Sequence, residues 1–205
     1  MEALGAKGRA QPLGSGRMEP DRKTLIADTA IALLGKLGAR GLTHRAVDAE
    51  AGLPAGSTSF YCRSRLDLLR LALRRHATLD LADLEADALR LAQPTWSRAD
   101  LLALVAHRVR EWLAPAQRSR LVARFELFLL ASREPELAEI VRELRAQFLL
   151  ATQAALMRAG VSEPEARARL LAQFVDGHLL DCVGADQAQP LDDAQLRLLD
   201  RLLAD

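Results

Sequence analysis

Half of the 205 residues are apolar yet only 4% are aromatic, and Leu, Ala, Arg and Glu recur throughout, a composition that favours helices over sheets. The apolar stretches fall far short of the roughly 20 residues a membrane span needs, and the opening 20 residues lack the apolar centre of a signal peptide, so a cytoplasmic protein is expected. The net charge of +1 hides an asymmetry: Met1 to Arg70 holds 11 Lys and Arg against 7 Asp and Glu, whereas the rest holds 17 against 20. A basic N-terminal end is compatible with nucleic-acid binding.

Residues 1–20 mix Gly, Ala, Arg, Lys and Pro without periodicity and are expected to form a disordered arm, in which Met18 is an alternative start and Lys7, Arg9 and Arg17 could reach a minor groove. A first helix is predicted from about Asp21 to Leu37, with Leu25, Ile26, Thr29, Ala30, Leu33, Leu34 and Leu37 on one stripe. Thr43 can cap a second helix carrying Arg45, Val47 and Glu50, which stops at Gly52. Pro54 then opens a third, carrying Ser57, Thr58, Ser59, Phe60 and Tyr61. Two short helices joined by a glycine turn make a helix-turn-helix, here with a small, uncharged reading face. One of Phe60 and Tyr61 is expected to face inward and the other outward; the sequence does not decide which.

Ser64 can cap a fourth helix of about 28 residues, running to Gln93 before Pro94 and spanning roughly 40 Å between the two halves of the protein. Ser97 with Asp100 resembles a capping box for a fifth helix reaching Leu113. A sixth, from about Ala116 to Ser132, is apolar almost all round from Leu121 to Ala131 and should be buried. Pro135 opens a seventh, running to Gly160. Ser162 and Glu165 predict a second capping box for an eighth ending near Gly184, and Leu196, Leu199 and Leu203 mark a ninth. The expected fold is all-α: a three-helix head over residues 21–65 and a six-helix body over 66–205.

Cys62 and Cys182 form no C-x-x-C pair and are read as buried thiols. His76 with Asp80, His107 with Glu111 and His178 with Cys182 have the i, i+4 spacing that places two ligands on one helix face, but two are too few for a metal. Helical ion pairs account for the first two and core packing for the third. Neither metal nor cofactor is expected. The common hydrolase, zinc-protease, phosphate-loop and dinucleotide motifs do not occur, so no catalysis is expected.

The helix ending in G-A-R-G-L-T, the A-G-L-P-A-G turn, the aromatic pair and S-R-L-D-L-L opening a long helix together resemble the DNA-binding domain of the TetR family of bacterial regulators, over Leu25 to Leu69. Cys62 stands where that family usually has Phe, Ser59 where it often has Tyr, and Arg65 where it usually has Lys. The resemblance implies that Thr43, His44, Arg45, Ala55, Ser57, Ser59, Phe60, Tyr61 and Arg65 face double-stranded DNA. Their chemistry is compatible: Arg45 and Arg65 can pair with phosphates, Thr43 and Ser57 can hydrogen-bond backbone oxygens, and an aromatic ring can lie against a thymine methyl.

The resemblance also implies a small-molecule cavity among helices four to eight. Arg108, Arg124 and His178 interrupt apolar stripes, and a buried charge is either internally paired or awaits a ligand. With the neighbouring aromatics, the candidate ligand contacts are Arg108, Trp112, Arg124, Phe125, Phe128, Phe148, Phe174 and His178. A homodimer is expected on a palindromic operator, since one helix-turn-helix reads few base pairs. Ala168, Leu171, Ala172 and Val175 of the eighth helix and Leu196, Leu199 and Leu203 of the ninth are the candidate interface, unless both helices close the chain's own core. The function implied is a repressor released by an effector; the alternative is a helical ligand carrier or protein-interaction module with a degenerate DNA-binding head.

Overall fold

The computed structural model describes residues 21–90 and 95–204; the N-terminal arm, the expected end of the fourth helix and Pro94 lie outside the described residues. Among them there are nine α-helices, one short 3-10 turn and no strand. Helix α1 spans Arg22–Gly41, but Gly38 takes φ 64° and ψ −175°, so the regular helix ends at Leu37 as the stripe predicts. Only a residue without a Cβ adopts that conformation without strain. Leu37 itself falls off the predicted stripe and is exposed, while Ile26, Ala27, Thr29, Ala30, Ile31, Leu33 and Leu34 are buried.

Helices α2 (His44–Glu50) and α3 (Ser57–Tyr61) complete the head, and α4 (Arg65–Arg90) leads out of it. Ser64 caps α4 reciprocally: the Asp67 amide donates to Ser64 Oγ at 3.0 Å and the Ser64 amide to Asp67 Oδ2 at 3.0 Å. Ser97 and Asp100 make the expected capping box of α5 (Arg98–Trp112). The sixth helix begins later than predicted, because Pro115–Gln117 form a 3-10 turn ahead of α6 (Arg118–Ala131). Nor is α6 buried all round: Leu121, Ala123, Arg124, Leu127 and Ala131 face inward, whereas Leu129 points to solvent.

Helix α7 covers Pro135–Arg158, α8 Pro164–Gly184 and α9 Asp193–Leu203. The capping box expected at Ser162 and Glu165 is absent. Glu163 precedes Pro164 in a left-handed conformation (φ 47°) and makes no side-chain cap, and Glu165 instead pairs with Arg169 at 2.6 Å. A box that the sequence reading passed over caps α9, between Asp192 and Gln195.

Two apolar cores result. The first gathers Ile26, Leu34, Leu42, Val47, Cys62 and Leu68 of the head but continues into Leu127, Leu137 and Ile140 of α6 and α7. The head is therefore packed onto the body and does not hang from α4 alone. The second core fills the body around Leu101, Trp112, Leu156, Leu171, Leu179 and Leu199. Both cysteines are free and buried, as expected. Among the described residues no helix is long and apolar enough to cross a membrane.

Candidate DNA-facing head and internal cavity

The turn between α2 and α3 is held by a buried carboxylate. Asp48 Oδ2 accepts from the Gly56 amide and Oδ1 from the Thr58 amide, both at 2.8 Å, so Asp48 supplies acceptors to the free N–H groups that open α3. Burial alone would raise this carboxyl, but the bonds from Thr58 and Gly56 win and hold it below the usual carboxylate value. The chain reverses through Gly52 (φ 64°) and Gly56 (φ 90°), left-handed positions that suit glycine. Thr43 Oγ1 accepts from the Ala46 amide at 3.1 Å, the cap its sequence position implies.

This geometry pushes both aromatics outward. Phe60 is 82% exposed and Tyr61 39%, their rings meeting edge to face at 5.3 Å between centroids. The expectation that one of the pair turns inward is corrected, because Thr58 and Cys62 occupy the interior of the short α3. Arg45, Ala55 and Ser59 are exposed beside them and Ser57 is half-buried, its hydroxyl donating to the Pro54 carbonyl at 2.6 Å. Two further candidate DNA contacts, besides Thr43 and Ser57, have partners inside the chain. His44 Nε2 sits 2.8 Å from the Cys62 carbonyl oxygen, tying the start of α2 to the end of α3, and the exposed Arg65 donates to the Ala39 carbonyl.

The body encloses a cavity of about 200 Å³ walled by α4, α5, α6, α7 and α8. Of the expected ligand contacts, Arg108, Trp112, Arg124 and Phe148 line it, and Phe128 lines a neighbouring space of about 50 Å³ that also meets Arg124. Phe125 and Phe174 pack in the body core without lining the larger cavity. Each follows or precedes a residue that does line it, Arg124 and Val175, and one helical step of about 100° carries it off that wall. His178 is also displaced: Nε2 lies 2.8 Å from the Gln189 carbonyl oxygen and Nδ1 3.2 Å from Gln195 Nε2, joining α8 to α9 and to the segment leading into it.

The arginines on the wall are paired with aspartates, of which the sequence marks only Asp80, and that one as a partner of His76. Arg108 Nε donates to Asp87 Oδ2 at 2.5 Å. Arg124 bridges two helices, Nη1 reaching Asp80 Oδ2 of α4 at 3.1 Å and Nη2 reaching Asp176 Oδ1 of α8 at 2.6 Å. Arg120 meets Asp80 at 2.5 Å and Asp83 at 2.8 Å, Arg145 meets Asp176 at 3.0 Å, and Trp112 Nε1 donates to Asp83 Oδ2 at 3.1 Å. The Arg124 guanidinium also lies 5.2 Å from the Trp112 ring centroid and 6.0 Å from that of Phe148. Burial raises the Asp80 carboxyl, yet the His76 ring and the Arg124 and Arg120 guanidinium groups outweigh it and hold Asp80 far below the usual range. Burial lowers Arg108, and Asp87 and Asp83 more than restore it.

The expected pair of His76 and Asp80 forms at 3.3 Å, whereas His107 faces Asp87 across the α4–α5 contact at 3.7 Å. Among the described residues no three metal-ligating side chains converge. The candidate interface residues Ala168, Leu171, Ala172, Leu199 and Leu203 are buried within their own chain, and Val175 and Leu196 are half-buried. On α8 and α9 the outward apolar residues are Leu170, Leu180 and Leu198. Which side of each helix turns inward depends on the packing of α5 and α7 against it, and the leucine lines alone do not disclose that.

Residues 96–205 match the family described as the Tetracyclin repressor-like C-terminal domain. Among solved structures, a TetR family member from Streptomyces coelicolor A3 is 32% identical, covering 91% of this chain and 100% of its own, with a TM-score of 0.71. The multidrug binding protein EbrR, solved with imidazole, is 32% identical over 91% of this chain and 92% of its own, with a TM-score of 0.67. A transcriptional regulator from Rhodococcus sp. Rha1, at 23% identity over 89% and 94% and a TM-score of 0.70, shares the fold. No curated protein matches the sequence. The helix-turn-helix head, the cavity-bearing body and these matches agree: the chain belongs to the TetR family of transcriptional regulators.

Proposed function

We propose that the protein is a transcriptional repressor that binds a palindromic operator as a homodimer and is released from it by a small molecule held in the body cavity. The observation that carries this reading is the pairing of two surfaces along one helix. Helix α4 begins beside the exposed Arg45, Ser59, Phe60 and Tyr61 and, farther along, supplies Leu81, Leu84 and Asp87 to the cavity wall. A ligand that shifts α4 changes the separation of two recognition helices, which successive major grooves hold roughly 34 Å apart. Only differential affinity for the two states can do so, and moving occupancy from mostly bound to mostly released takes about 3 to 5 kcal/mol.

The dimer is formed through the outward sides of α8 and α9. Leu170, Gln173, Gly177, Leu180 and Gly184 of α8 are all exposed and share one face at a spacing of three and four residues, with Leu198 exposed on α9. Mobility-shift titration on the DNA flanking its own gene tests the reading. A shift that weakens steeply from low to moderate salt, and that is lost when Arg45 and Phe60 are replaced by Ala, is the expected result. Only weak retention, the same for any DNA sequence, would instead leave a ligand carrier.

A further inference from the structure

We infer that the cavity takes an electrically neutral, largely apolar ligand and discriminates against organic ions of either sign. This rests on the cavity being the effector site. Apolar side chains of four helices make most of the wall, among them Leu84, Leu104, Trp112, Phe148 and Val175. The charged side chains on the wall and directly behind it form a closed set, of which Asp87, Asp176, Arg108 and Arg124 line the cavity itself. Asp80, Asp83, Asp87 and Asp176 are matched by Arg108, Arg120, Arg124 and Arg145, each aspartate meeting at least one of these arginines at 2.5 to 3.0 Å. Four negative charges face four positive ones. Glu85, exposed on the lining, and the exposed Arg90, 3.8 Å from Asp87, add one charge of each sign where water screens both.

An ion entering such a space has two courses, and both are costly. It can stay uncompensated among apolar side chains, losing its hydration. Otherwise it can displace one partner of a wall pair, leaving that partner's charge buried and unmatched. A neutral molecule needs neither. The buried polar atoms of this charged set that lack a hydrogen-bond partner among the described residues are Arg120 Nε, Arg124 Nε and Asp87 Oδ1, donors and an acceptor that can meet the polar edges of a neutral molecule. His76 and His107 stand behind this wall, His76 facing Asp80 and His107 facing Asp87.

Three probes with one ring system test the inference: acridine, 10-methylacridinium and acridine-9-carboxylate, titrated calorimetrically into the purified full chain at a pH where acridine is unprotonated. Acridine is expected to bind at least about tenfold more tightly than either ion. Two substitutions then set the sign. Asp176→Asn leaves the wall with one surplus positive charge and should improve the carboxylate relative to acridine. Arg145→Leu leaves one surplus negative charge and should improve the methylacridinium. Arg145 is part-exposed, so this second variant tolerates the change even where Asp176→Asn impairs folding. Preference of the parent protein for either ion overturns the inference, as does failure of acridine to bind or a folded variant whose preference moves against its sign. Operator binding measured without probe reports separately on the regulator itself.

Discussion

Gly35 of α1 lies against the backbone of Ser119 at the start of α6 so closely that a Cβ on it would fall 1.9 Å from the Ser119 carbonyl oxygen. The obstacle is main chain and cannot rotate away. Helix α6 continues from there to Arg120 and Arg124, so one rigid element touches both the cavity wall and the first helix of the head. Gly35→Ala gains helix propensity of up to about 1 kcal/mol but forces apart two packed backbones, at a cost of about 1 to 3 kcal/mol or more. The second effect wins. The variant should melt below the parent, and its operator affinity should fall even though no DNA-facing residue has changed. A melting temperature equal to or above the parent's would show that α1 and α6 separate without penalty.

What the sequence disclosed divides along the range of the interactions involved. Thr43, Ser64 and Ser97 cap helices within four residues of themselves, and each forms the bond its position implies. Ser162 fails because the helix starts at Pro164 with Glu163 as its N-cap, which leaves Ser162 one residue outside the box. Arg108 and Arg124 are visible as charges on apolar stripes, but their partners Asp87 and Asp80 lie 21 and 44 positions away on α4, where Asp80 reads as a partner of His76 and Asp87 as solvated. Asp48 escaped notice for the same reason: its partners belong to the next helix.

Asp48 makes a prediction about the head alone. Replacing it by Ala removes two charge-assisted bonds and strands the buried Thr58 amide, so the head should lose about 2 to 5 kcal/mol. Asp48→Asn keeps one acceptor oxygen and should lose less. Thermal melting followed by circular dichroism orders the three proteins, and operator affinity should follow the same order because α3 is positioned by these bonds. Equal affinity for all three would show that DNA itself orders the turn.

Stability should also fall in acid with a definite origin. Asp80 titrates below its usual value of 3.8 in the folded chain, so its ionised form favours folding. That contribution is complete above the usual carboxylate value and disappears as pH drops through the depressed folded value. Asp80→Asn should therefore lower the melting temperature near neutrality, where loss of one partner from a buried pair costs about 3 to 5 kcal/mol, and should flatten the loss below pH 3.8. Parallel pH profiles for parent and variant would assign the acid sensitivity to other carboxylates.

Gly177 separates the fold of one chain from the pairing of two. It is exposed on α8, and a Cβ built on it meets no atom of its own chain within 4 Å. Within the monomer a larger residue is thus harmless, and Gly177→Leu should gain up to about 1 kcal/mol of helix propensity. At the twofold contact proposed for this face, beside the exposed Leu170 and Leu180, the same side chain would meet its symmetry mate and hold the two helices apart. The expected outcome is a chain that melts no lower than the parent, sediments with half its mass and binds the operator more weakly, since two heads no longer act together. An unchanged mass would move the contact between copies away from this side of α8.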